Sequence, residues 1–164
     1  MIGKTLVMLL LLAIPFAQAQ DESVQDKSQI NPLVGTWRLV RYVDTPKGGE
    51  PIYVFGESPI GQFIFTEDGY MSVHVMHNPP NPNDAVVDPD PDACIPSWYC
   101  GYFGTYTVDT KEHYWVTHVL GGNIVAYIGT DQKRIFTIEG DQLVISETYL
   151  SGDVPVTAER VLVR

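Results

Sequence analysis

Few residues of this sequence combine the side-chain type and spacing that chemistry requires, and the most informative of them are polar. Arg41, His118 and Arg134 fall, by period-two counting, on strand faces otherwise occupied by apolar residues. An arginine on an interior face needs a partner, because a lone guanidinium out of water is too costly to keep. Glu147 or a tyrosine hydroxyl would supply one from within the chain. The carboxylate or other acidic head of a ligand would supply one from outside, held by two parallel N–H donors. Internal pairing is the first reading. The second implies a ligand with an apolar body and an anionic head.

The remaining reactive side chains lead less far. His74 and His77 lie three apart and His113 and His118 five apart, so on strands each pair points to opposite faces and neither makes a metal-ligand pair. Asp88-Pro89-Asp90-Pro91-Asp92 alternates carboxylates but lacks the central Gly and distal Glu of a calcium loop, and reads as a solvated acidic loop. No Gly-x-Ser-x-Gly, Ser-x-x-Lys, phosphate-binding loop or dinucleotide fingerprint occurs. The sequence therefore assigns no catalytic residue, no metal and no cofactor.

The elements that would position these polar residues are strands. Leu33 to Val43 is rich in β-branched and aromatic residues and has no helix cap. Ile60–Thr66 and Tyr70–Met76 flank Glu67-Asp68-Gly69, and Lys133–Ile138 and Gln142–Tyr149 flank Glu139-Gly140-Asp141, two hairpin signals. Gly101–Val108, Glu112–Leu120, Ile124–Ile128 and Val156–Val163 continue the pattern, and Ile52–Val54 is a further short candidate. Eight or nine strands joined by short turns predict an all-β, up-and-down antiparallel barrel of about eight strands, or a meandering sandwich. A barrel has no open edges to aggregate. One stretch breaks the rhythm: Asn78 to Pro96 holds six of the twelve prolines, which excludes a central strand and predicts one long Pro-rich loop.

The first residues read as a cleavable signal peptide. Lys4 precedes the apolar run Leu6–Ile14, which is too short to span a bilayer, and Ala17-Gln18-Ala19 supplies a small-x-small cleavage site. An uncleaved anchor is the alternative, and the short apolar run argues against it. Residues 1–19 are then the signal, 20–32 a flexible polar leader and 33–164 the domain, about 145 residues being left after cleavage. Losing Lys4 takes the formal charge from −10 to −11. Such a chain is repelled by nucleic acid and by anionic lipid, so neither is an expected partner, and no later segment would insert in a membrane. Export implies a secreted or periplasmic location, where Cys94 and Cys100, six positions apart, tend to pair. Closing so small a loop stabilises by about 2 kcal/mol on the chain-entropy estimate. Two free thiols or half of a metal site are the other readings.

Leu33-Val34-Gly35-Thr36-Trp37-Arg38-Leu39-Val40, with Gly-x-Trp at Gly35 and Trp37, resembles the opening strand of lipocalin-like proteins. Phe55-Gly56-Glu57-Ser58-Pro59-Ile60-Gly61, Phe65 to Val73, Tyr102 to Asp109 and Gly129-Thr130-Asp131-Gln132 extend the likeness. Together they resemble the bacterial and fungal lipocalin-like domain family, of the calycin type, over nearly all of residues 33–164. The signal peptide, the Pro-rich loop and the cysteine pair depart from the family pattern. The resemblance implies a barrel whose interior holds one small ligand. It also implies that Trp37 closes one end beneath an arginine of the last strand, for which Arg160 is the best match. Strand parity then nominates Leu39, Arg41, Phe63, Phe65, Val73, Tyr106, Tyr114, Val116, His118, Arg134 and Phe136 as the ligand pocket, and a register slip of one residue would invert each face.

Three functions follow in order. The first is an exported protein that binds or carries a small apolar molecule in the barrel. The second is an enzyme using the barrel as a chamber, an isomerase, cyclase or dehydratase on a lipid-like or polyketide-like substrate. The third is an envelope protein with a filled barrel that meets a partner through the 78–100 loop. The oligomeric state is not legible in the sequence.

Overall fold

In a computed structural model the described residues are 31–80, 94 and 98–164. The expected signal peptide, nearly all of the leader and most of the Pro-rich loop lie outside them.

Eight strands form one closed antiparallel barrel in chain order. They are β1 Gly35–Pro46, β2 Ile60–Phe65, β3 Tyr70–Met76, β4 Tyr99–Asp109, β5 Tyr114–Gly122, β6 Asp131–Glu139, β7 Gln142–Ser151 and β8 Val154–Val163. Pairing of β1 with β8 completes the ring. The turns at Glu67-Asp68-Gly69 and Gly140-Asp141 form as expected, with Gly69 and Gly140 at φ of +86° and +60°, where a side chain would be strained. Two expected strands do not form. Ile124–Ile128 contains a single 3-10 turn, Val125–Tyr127, and Ile52 makes only an isolated bridge to Asp44. The disulfide Cys94–Cys100 is present.

The two ends differ in chemistry. At one end the β2–β3, β4–β5 and β6–β7 turns are short and polar, and the interior is filled by rings. Phe65 meets Tyr106 at 5.2 Å and Trp115 at 5.3 Å, both edge to face, and Trp115 lies 5.8 Å from Phe136. Such pairs add about 0.5–1.5 kcal/mol beyond the area they bury. The segment before β1 seals this end: Leu33 is fully buried, and Asn31 donates to the Tyr106 hydroxyl, which donates to the Thr66 carbonyl. Trp37 is fully buried and donates from Nε1 to the Leu33 carbonyl at 2.7 Å.

The arginine over Trp37 is Arg164, at 4.0 Å, not Arg160. Arg164 also donates to the Pro32 carbonyl. Arg160 sits nearer the other end of β8, opposite Tyr42 in the ladder, and is too far along the strand to reach the indole.

Strand β1 carries a bulge. Leu39 pairs with Leu162 and Arg41 with Val161, so Val40 is the extra residue. Before it Trp37 and Leu39 point inward. After it the inward set is Tyr42, Asp44 and Pro46, and Arg41 is turned out, where it pairs with Glu159. The expected inward Arg41 is thereby corrected.

Candidate functional site

The open end holds a cavity of about 540 Å³. That volume is within the usual range for a small-molecule site. Its walls are built row by row across β1, β8 and β7. Beneath the cavity Leu39, Leu162 and Leu143 form a buried apolar row of the core. Above them stand Tyr42, Arg160 and Ile145, and above those Asp44, Ala158 and Glu147. The opposite wall is apolar: Phe63, Val73 and Val75 from β2 and β3, and Ile124 from the β5–β6 connection. Tyr102, Tyr127, Gln132 and Arg134 complete the ring. The result is an apolar chamber beneath a polar belt.

The two belt arginines are held differently. Arg160 Nη1 donates to Asp44 Oδ1 at 2.8 Å, Nη2 donates to the Tyr42 hydroxyl at 2.6 Å, and the guanidinium lies 3.7 Å over the Tyr42 ring. The Tyr149 hydroxyl donates to the second oxygen of Asp44 at 2.9 Å. Both charges are buried and well matched, the condition under which an interior ion pair is tolerated. Arg134 is looser. Its Nε lies 3.5 Å from Glu147 Oε2 and its Nη atoms 3.5 Å from Gln132 Oε1, at the limit for a hydrogen bond, although Nη1 donates to the Lys133 carbonyl at 2.8 Å. Burial works against its charge, yet nearby Tyr102 and Glu147 hold its pKa above the ordinary value. Two cations and two carboxylates leave the belt formally neutral.

Burial pushes the Tyr102 hydroxyl up to about 12. Burial and the Asp44 carboxylate that accepts its hydrogen bond do the same for Tyr149. Burial also raises Tyr42, against the pull of Arg160. An unfolded tyrosine ionises near 10, so between pH 10 and 12 the folded chain holds a proton on Tyr102 that the unfolded chain has lost. That stability is complete below pH 10 and is lost as pH rises toward 12, up to about 2–3 kcal/mol for this buried ring. Urea denaturation at pH 9 and pH 11.5 is expected to show a smaller alkaline loss in Tyr102→Phe than in the wild type. Equal losses would contradict this origin.

Of the residues nominated from the sequence, the structure brings Phe63, Val73 and Arg134 together in the cavity wall. Leu39, Phe65, Tyr106 and Phe136 face inward but are packed into the core, largely at the sealed end. Tyr114, Val116 and His118 face outward, a correction. On β5 the buried set is Trp115, Thr117 and Val119. Both faces of this strand carry apolar residues, and the larger indole takes the interior, with its Nε1 satisfied by Thr117 at 3.1 Å. Outside, Lys133 covers the Tyr114 ring at 3.7 Å and His118 pairs with Asp131 at 2.9 Å. Arg160, expected at the closure, lines the cavity instead. Parity reasoning missed Tyr42 and Asp44 because nothing in β1 announces the bulge. It also missed Tyr102, which shares the parity of Tyr106 and was within reach. Among the described residues no cluster of three His, Cys, Asp or Glu side chains is placed to hold a metal.

A closed eight-stranded barrel, sealed at one end and hollow at the other, is a ligand-binding barrel in general design. A family model described as the lipocalin-like domain matches residues 34–160, and the chain belongs to that family. No curated protein matches the chain. Among solved structures a redesigned β-barrel is similar, with 15% identity, 80% of this chain and 90% of the other covered, and a TM-score of 0.38.

Proposed function

We propose that this is an exported barrel that binds a small molecule with an apolar body and one acidic or strongly polar oxygen group. The observation that carries the reading is the pairing of an apolar chamber with Arg134, whose carboxylate partner stands off at 3.5 Å while Arg160 is fully engaged. A ligand oxygen offers Arg134 shorter, charge-assisted bonds, and Tyr102 and Tyr127 stand beside it as further polar contacts. The apolar body occupies the space against Phe63, Val73 and Ile145. The export half rests on the N-terminal sequence and is in keeping with the disulfide.

Two naphthalene fluorophores of similar size, one a sulfonate and one neutral, test the site. Both are expected to bind, and Val73→Trp, which fills the chamber, is expected to abolish both. A charge-assisted hydrogen bond contributes about 1.5–3 kcal/mol, so Arg134→Gln is expected to weaken the sulfonate roughly tenfold or more and the neutral probe little. Unchanged binding in Val73→Trp would place the probes outside the chamber and remove the reading. Mass spectrometry of protein purified from its native source reads the carried molecule and an N-terminus expected at Gln20.

A further inference from the structure

The polar belt is not the top of the hollow. Above it a second apolar space of about 330 Å³ opens on the concave side of β1, β7 and β8, where these strands run past the rest of the barrel. Its floor is the next row of the ladder, Pro46, Val156 and Tyr149, and beyond that Val154 opposite Ser151. Ile52 and Val54, from the connection after β1, form its outer wall. The bridge that holds this wall is reciprocal: the Asp44 amide donates to the Ile52 carbonyl at 3.0 Å and the Ile52 amide donates to the Asp44 carbonyl at 2.7 Å. Asp44 and Tyr149, joined by a hydrogen bond, line both spaces, so the two adjoin at this pair.

From the chamber outward the order is therefore apolar, polar, apolar. A ligand whose polar group ended the molecule would leave the upper space to water, against exposed Ile52, Val54 and Val154. We propose that this upper groove is a second binding compartment that takes an aliphatic chain continuing past the belt, so that the ligand class is an elongated molecule with its polar oxygen group internal, such as an ester, rather than terminal. The continuity of the two spaces through Asp44 and Tyr149 identifies the occupant as an extension of the chamber ligand. The inference rests on the chamber reading above and adds to it the shape of the ligand.

A series of alkyl esters of one fluorescent naphthoic acid, from methyl to decyl, separates the two. The methyl ester reports the chamber. Each added methylene that enters the groove is expected to tighten binding roughly fourfold, with a plateau once the tail outgrows the groove. Val154→Lys, at an exposed groove position with no share in the chamber wall, is expected to flatten the series while leaving the methyl ester within about twofold. Binding of the methyl ester with no dependence on tail length, or a length dependence untouched by Val154→Lys, overturns the groove alone. Failure of every ester to bind overturns the groove and the chamber together.

Discussion

Arg160→Leu is expected to cost about 3–5 kcal/mol of folding stability, a large share of the 5–15 kcal/mol that holds a domain together. The reason is what it strands. Asp44 is 8% exposed, and without the guanidinium its carboxylate keeps only the Tyr149 hydroxyl among its side-chain partners. Breaking one half of an interior pair leaves a charge with neither water nor a counter-ion, and the Tyr42 ring loses its cation as well. Arg41→Leu provides the contrast. Arg41 and Glu159 also pair, but their side chains are 49% and 33% exposed, and such pairs contribute about 0–1 kcal/mol. Replacing both Asp44 and Arg160 with leucine and methionine is expected to recover much of the loss, since two apolar side chains of similar volume leave no stranded charge. Urea denaturation of the three variants checks this. Equal losses in Arg160→Leu and Arg41→Leu would mean that the belt pair is solvated.

The sequence made the barrel legible because the signals were local. Hairpins at Asp68-Gly69 and Gly140-Asp141 and the alternation in β2, β3 and β6 are decided within a few residues, and there parity placed Phe63, Val73 and Arg134 on the inner face. The failures have two physical causes. In β1 a single extra residue, Val40, reverses the inner face halfway along the strand, and only the partner strand reveals it. That slip hid Tyr42 and Asp44 and exposed Arg41. In β5 both faces are apolar enough to be buried, and the choice between Trp115 and Val116 is made by the size of the cavity that Phe65 and Phe136 leave. Ile124–Ile128 is a third case. It has the composition of a strand, but β5 and β6 already pair directly, which leaves it as the connection over the chamber.

The belt and the groove also explain why Ala158 is small. It stands in the ladder between Asp44 and Glu147, with Arg160 one inward step below and Val156 one above. A larger side chain there would project into the space where the Arg160 guanidinium turns toward Asp44. The packing of the belt thus depends on side chains of quite different size following each other on one strand, a feature that hydrophobic patterning does not report.

Trp37→Ala is expected to be as damaging as Arg160→Leu, about 3–5 kcal/mol, but to act through packing and to leave ligand preference alone. The indole is fully buried, bonds the Leu33 carbonyl and lies beneath Arg164, so truncation opens a void and frees the segment that seals this end. The core rings Phe65, Trp115 and Phe136 are held in their own chain of contacts, Phe65 edge-on to Trp115 and Trp115 tilted against Phe136, which limits collapse into the void. Trp37→Phe keeps most of the volume and loses the hydrogen bond, and is expected to cost about 1–2 kcal/mol. Arg164→Ala removes an exposed cation over the ring, for which about 0.5–1 kcal/mol is expected. The cavity wall includes neither Trp37 nor Arg164. Below the thermal transition of each variant, the neutral fluorophore should therefore bind as it does to the wild type. A midpoint lowered in Trp37→Ala together with unchanged probe affinity in Trp37→Phe separates the stabilising end of the barrel from the recognising end. A probe affinity that falls in step with stability across the three variants would show that the two ends are not independent.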